Sequence, residues 1–144
     1  MAPRDYKRTI LITGATDGIG RQLALELSSK TEENFVIIHG RCKRKCEETL
    51  EYLIHENKLR PLSSNLDYVA ADFSHLNETC RMAEEVKLRF PKLNVFVGCA
   101  SILVPRKMKS DDALELTIQV NHLSHYILWN SLLPLLESNA LQEY

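Results

Sequence analysis

None of the four cysteines, Cys42, Cys46, Cys80 and Cys99, forms a Cys-x-x-Cys pair with another, so the familiar dithiol and zinc spacings are missing. No apolar run approaches the ~20 residues that a bilayer span needs. Met1-Ala2-Pro3-Arg4 is not followed by a signal-type apolar stretch. With no route to an oxidising compartment in view, the thiols are expected to be reduced and the protein cytoplasmic. An excess of one charge is also lacking: 18 Lys+Arg stand against 19 Asp+Glu, for a net charge of -1. That balance offers no general electrostatic reason to bind nucleic acid or an acidic membrane. No repeat, low-complexity tract or Pro/Gly linker divides the chain, and a single domain over residues 1–144 is expected.

What is present is 44% apolar and 26% charged residues, a composition that suits one packed core. Short apolar runs alternate with longer helical patterns. Arg8 to Thr13 reads as a buried strand, and Ile19, Leu23, Ala24 and Leu27 then recur at helical spacing. Phe35 to His39 is a second strand, followed by a charged helix from about Lys43 to Asn57. Pro61 to Asn65 is turn chemistry, and Leu66 to Ala71 reads as a third strand. Glu78 to Phe90 is helical, with Ser74 or Asn77 as candidate caps. Leu93 to Val97 is a fourth strand, and a long helix is expected from about Asp112 to Glu137. Buried strands separated by amphipathic helices predict a three-layer α/β fold of the Rossmann type, with a parallel sheet ordered 3-2-1-4.

The first strand runs directly into Thr13-Gly14-Ala15-Thr16-Asp17-Gly18-Ile19-Gly20 and then a helix. Glycine at such a turn has three separate uses. Gly14 allows a sharp bend, Gly18 allows close approach of a pyrophosphate, and Gly20 lets the helix pack against the strand. Free amide hydrogens and the positive end of the helix dipole then face an anion. The second strand is followed by His39-Gly40-Arg41-Cys42-Lys43-Arg44-Lys45. A site preferring NAD usually places an acid here to accept from the ribose 2′-OH; this sequence has four cations instead. Arg41 suits a 2′-phosphate, with Arg44 or Lys45 adding charge, so NADP is expected over NAD. Cations are unfavourable at a helix N-terminus, which gives the cluster a reason to hold an anion.

These residues resemble those of the short-chain dehydrogenases/reductases. Thr13 to Gly20 is similar to that family's Thr-Gly-x-x-x-Gly-x-Gly cofactor loop, without a mismatch. Asp72-Phe73-Ser74 resembles its Asp-Leu-Ser segment, in which the acid contacts adenine. Leu93 to Ser101 is similar to Leu-Asn-Val-Leu-Val-Asn-Asn-Ala-Gly, and Val120 to Tyr126 resembles the Val-Asn-His-Leu-Gly-His-Phe of the retinol-dehydrogenase-like branch. The resemblance implies a cofactor site at Gly14, Thr16, Asp17, Gly18, Ile19, Gly20, Arg41, Arg44, Asp72, Phe73, Gly98 and Ala100. It implies oxidoreduction of a small apolar or lipid-like carbonyl or alcohol. Gly98 departs from the pattern, because it has no side chain to support the sheet and the ribose as the family's asparagine does.

Of the family's four catalytic residues only Asn121 is present, with an implied role in shaping its helix and holding a water. The family's Tyr-x-x-x-Lys transfers the proton, and its Lys lowers the pKa of a tyrosine that would otherwise lie at about 10. Tyr126 is followed four residues later by Asn130, and Tyr144 ends the chain. The expectation is therefore the N-terminal half of such an enzyme, inactive as it stands. The alternative is a catalytically dead relative that acts as a binding or regulatory protein. A Rossmann-like methyltransferase or an NAD-type epimerase fits less well, because of the Asn121 stretch and the Arg41 cluster respectively.

His122 and His125 are three apart on a helix, but no carboxylate or cysteine lies near them in sequence, and no metal is expected. Cys42 and Cys46 read as packing or surface residues. Trp129, Leu132, Leu133, Leu135 and Leu136 make the last helix apolar nearly all round. Together with an uncovered fourth strand, that helix predicts self-association.

Overall fold

The computed structural model describes residues 5–61 and 64–140. Met1 to Arg4, Leu62 and Ser63 of the expected turn, and Tyr144 lie outside the described residues. The elements run β1 (Arg8–Thr13), α1 (Gly18–Ser28), β2 (Asn34–Gly40), α2 (Lys43–Glu56), β3 (Leu66–Ala70), α3 (Leu76–Arg89), β4 (Val95–Gly98), α4 (Leu116–Ile118) and α5 (Ser124–Ser138). All strands are parallel, in the order β3-β2-β1-β4. The expected Rossmann-type order is the observed one.

The layers follow from side-chain alternation along the strands. Ile10, Ile12, Val36 and Ile38 face α1 and α2, where Ala24 and Leu53 complete one core. Leu11, Ile37 and Val69 point the other way, onto Met82, Ala83 and Val86 of α3 and Leu128 and Leu132 of α5. Both faces of β1 and β2 are thus covered, which explains why these strands read as continuous apolar runs rather than alternating ones.

Strand and helix ends differ from the sequence reading by one or two residues, with one larger exception. Leu93 is fully buried but lies ahead of β4 rather than in it. The N-cap of α3 is His75, not Ser74 or Asn77; Ser74 instead donates to Asp72. The larger difference is the last helix, which starts at Leu116 rather than Asp112. The Asp112 carboxylate accepts from the Leu76 N–H (2.9 Å) and the Gln119 side chain (3.0 Å). Ala113 takes a positive φ of 61°, and Glu115 caps the helix by accepting from the Ile118 N–H. Asp112 is therefore held in a loop by tertiary partners that helical periodicity does not register.

A π-helical turn, Gln119–Leu123, then joins α4 to α5. It is pinned from both sides. The buried Gln119 side chain donates to the Phe73 carbonyl and accepts from Ser110. Asn121 takes both backbone groups of Ile102, accepting from its N–H (2.8 Å) and donating to its carbonyl (2.9 Å). Such a bulge is a common device at functional sites.

Candidate cofactor site

The site is built where β1 stops. Thr13 is its last residue, and Gly14 turns the chain with φ +61°. A β-carbon on Gly14 would lie 2.5 Å from the Cα of Ala100, so the turn both needs the left-handed backbone and admits no side chain. Gly18 also has positive φ (+52°), but a β-carbon there would meet nothing within 4 Å. The space before Gly18 is open, as close approach of a ligand requires. Gly20 presses on the carbonyl of Gly14. Its role is thus contact with the loop rather than with the strand proper, a correction to the sequence reading.

Asp17 caps α1 by accepting from the Gly18 N–H at 2.8 Å. Ile19, 83% exposed, shares a shallow cleft with Gly14, Thr16, Asp17, Gly18 and Cys99. A second cleft of about 420 Å³ adjoins it and is bounded by the ends of β1, β2 and β3. Gly14 and Thr16 belong to it from the loop, Arg41 from just past β2, Lys45 from the first turn of α2, and Asp72 and Phe73 from just past β3. Ala100 closes it beyond β4. The wall lies at the carboxyl ends of the strands, where β1 separates connections that run in opposite directions. That is the switch point at which open parallel sheets bind ligands.

Three of the expected residues, Arg44, Gly98 and Asn121, line neither cleft. Arg44 turns away and pairs with Glu48 at 2.6 Å, so Lys45, not Arg44, joins Arg41 at the cleft. Arg41 and Lys45 have no side-chain partner among the described residues. Gly98 lies behind the cleft, where a β-carbon would come within 3.0 Å of the His125 ring. Asn121 is engaged with Ile102, as described above.

Asp72 accepts from both the N–H and the hydroxyl of Ser74 (3.0 and 2.7 Å), and its own N–H donates to Glu78. Phe73 is buried and stacks on His39, with centroids 4.3 Å apart and planes 10° from parallel. Burial holds the His39 pKa down to about 4 against its ordinary 6.5. The same cause lowers that of His125, opposed by its bond to the Asn121 carbonyl.

A family model described as short chain dehydrogenase matches residues 8–141. The chain belongs to the short-chain dehydrogenase family. Human retinol dehydrogenase 14 is 32% identical over 144 aligned positions, covering 94% of this chain and 42% of that protein. The WW domain-containing oxidoreductase of Drosophila melanogaster is 33% identical, covering 85% of this chain and 29% of that protein. Among solved structures, a short chain dehydrogenase from Salmonella enterica serovar Typhi has a TM-score of 0.67 at 26% identity, covering 94% of this chain and 56% of that one. The Shigella flexneri short chain dehydrogenase gives 0.69 at 25%, covering 91% and 51%. This short-chain dehydrogenase sequence spans about two fifths of the length of the curated relatives it matches.

Sequence reasoning missed His39, Gly40, Leu116 and Val120 at the site. His39 carried a usable signal, a polar residue closing an otherwise apolar strand. A β-carbon on Gly40 would press into the methyl of Thr16, a contact between segments 24 residues apart in the chain. Leu116 and Val120 sit in the last helix's apolar periodicity and look like core; only the fold shows them on the cleft wall. No helix among the described residues is long and apolar enough to cross a membrane.

Proposed function

We propose that this chain is the NADP-binding portion of an oxidoreductase acting on a small apolar or lipid-like carbonyl or alcohol. One observation carries the choice of cofactor: Arg41, just past β2, and Lys45, in the first turn of α2, both line the cleft with no side-chain partner among the described residues. A ribose 2′-OH asks for an acceptor there, whereas a 2′-phosphate asks for cations. The carboxylate on the same cleft, Asp72, stands past the end of β3 rather than β2, with Oδ1 accepting from Ser74. The open face of Gly18 fits the pyrophosphate, with Gly14 to Gly20 as its cradle and Asp72 and Phe73 toward the adenine. Ala100 leaves room on the nicotinamide side. When bound, the nicotinamide supplies the hydride acceptor or donor; these residues hold and orient it.

The substrate class rests on the family and on relatives that include retinol dehydrogenases. No tyrosine in the sequence is followed four residues on by lysine. Turnover therefore calls for a proton-transferring Tyr-x-x-x-Lys supplied from outside these 144 residues, and the chain by itself binds cofactor without reducing substrate. A second reading is a catalytically inert relative that works as a binding or regulatory protein. A transcript that continues past Tyr144 into Ser and Tyr-x-x-x-Lys supports the enzyme, and a stop codon at that point supports the alternative.

Fluorescence titration with NADPH and NADH tests the cofactor. Tighter binding of NADPH, lost in an Arg41→Ala variant, is the expected result. Equal affinity for the two nucleotides would overturn the NADP assignment, and no binding of either would overturn the cofactor reading.

A further inference from the structure

Two imidazoles meet the first two residues of the glycine loop from opposite sides. On one side the Gly14 N–H donates to Nδ1 of His39 at 3.2 Å, while Nε2 of the same ring lies 2.9 Å from the Ala71 carbonyl. On the other side the Thr13 hydroxyl lies 2.7 Å from Nε2 of His125, whose Nδ1 is 3.1 Å from the Asn121 carbonyl. The hydroxyl oxygen of Thr13 also accepts from the N–H groups of Cys99 and Ala100, at 2.9 and 3.1 Å. Phe73 ties the two rings together, stacked on His39 and edge-on to His125.

Those partners leave no choice of tautomer. A backbone N–H can only donate and a carbonyl can only accept, so His39 carries its proton on Nε2 and accepts at Nδ1. His125 must donate from Nδ1 to Asn121. Thr13 already receives two backbone hydrogens, so its own hydroxyl hydrogen goes to Nε2 of His125. A second proton on either ring would set N–H against N–H at Gly14, or against the Thr13 hydroxyl hydrogen.

We propose that His39 and His125, each uncharged and in opposite tautomers, are the positioning residues of the cofactor loop, fixing Thr13 and Gly14 between them. The role rests on reading that loop as the nucleotide site. Both act through the loop, His39 from a buried place behind the cleft wall. Gly14 has no room to shift, because it is already packed on the Ala100 backbone. That packing fixes the position of Gly14 but not the tilt of its peptide, which the bond to His39 sets; releasing the N–H misdirects the amides that follow, and binding falls with the geometry. A β-carbon at position 98 would come within 3.0 Å of the His125 ring that holds Thr13.

The test uses this chain, with NADP+ as probe. Long-range proton–nitrogen NMR spectra of the unaltered protein at pH 7 are expected to show His39 protonated on Nε2 alone and His125 on Nδ1 alone. An imidazolium, or the reverse tautomer at either ring, overturns the proposal. By calorimetry, His39→Leu is expected to weaken NADP+ binding at least tenfold. His39→Asn restores an acceptor near the Nδ1 position and is expected to recover affinity to within about threefold of the original. His125→Ala and His125→Gln should behave as a second such pair. Should His39→Leu fail to fold, the tautomer spectra and the His125 pair still decide. If the unaltered chain binds neither NADP+ nor NAD+, the cofactor reading fails and this role fails with it. If it binds and the Leu and Ala variants bind equally well, only the positioning role is overturned.

Discussion

Acid should destabilise this fold through one residue in particular. His39 is 3% exposed, and its pKa is held down to about 4 from 6.5, chiefly by burial. The bond to the Ala71 carbonyl and the charge of Asp72 oppose the shift, and His125 adds to it. Because the folded value lies below the unfolded one, the unfolded chain takes up the proton first. The stabilisation is complete above pH 6.5 and is lost as pH falls from 6.5 toward 4; below that His39 contributes no further change. A difference of about 2.5 pH units at 1.36 kcal/mol per unit gives a loss of about 3 kcal/mol between pH 7 and pH 4. That is a large share of the 5–15 kcal/mol typical of a domain.

The assay is urea unfolding followed by circular dichroism at half-unit pH steps, for the unaltered chain and for His39→Asn. The variant loses some stability at pH 7, but its stability should fall about 3 kcal/mol less on acidification. Subtracting the two curves removes the carboxylates, which titrate in both. His125 contributes in the same direction and is also common to both. Parallel curves for the two proteins would show that His39 is charged, or solvated, in the native state. The account of how the glycine loop is held would then be wrong.

Other expectations concern the site and the surface. Arg41→Ala should raise the NADPH dissociation constant roughly 10- to 100-fold while leaving NADH within about twofold, the loss expected for a charge-assisted contact; titration of both nucleotides checks this. Gly18→Asp should abolish nucleotide binding, since it puts a side chain and a negative charge into the open space at a positive-φ position; calorimetry reads the loss, and thermal melting shows whether the fold survives. Ile118, Tyr126 and Trp129 are 61%, 58% and 47% exposed, and among the described residues β4 is paired on one side only. The chain is therefore expected to self-associate in sedimentation runs across a tenfold concentration series, and a concentration-independent monomer would contradict that.

Sequence alone determined the layers, the strand order and the glycine turn between β1 and α1. Each of these depends on local chemistry: apolar runs that fit strands buried on both faces, helical periodicity, and glycines at a strand-to-helix turn. The tertiary structure decided which residues share a space. Periodicity carries Asp112 into the last helix, but Leu76 and Gln119 hold it in a loop instead. Arg44 and Lys45 are equal candidates for the cleft as neighbours in the chain; the helix turns one toward Glu48 and the other inward. His39 and His125 stand 86 residues apart in the chain, and only the pairing of β2 beside β1 and the packing of α5 on the sheet bring both to the same two residues. Local pattern is written in neighbouring positions, whereas a shared hydrogen bond depends on where distant segments cross, and no spacing rule within one segment encodes that.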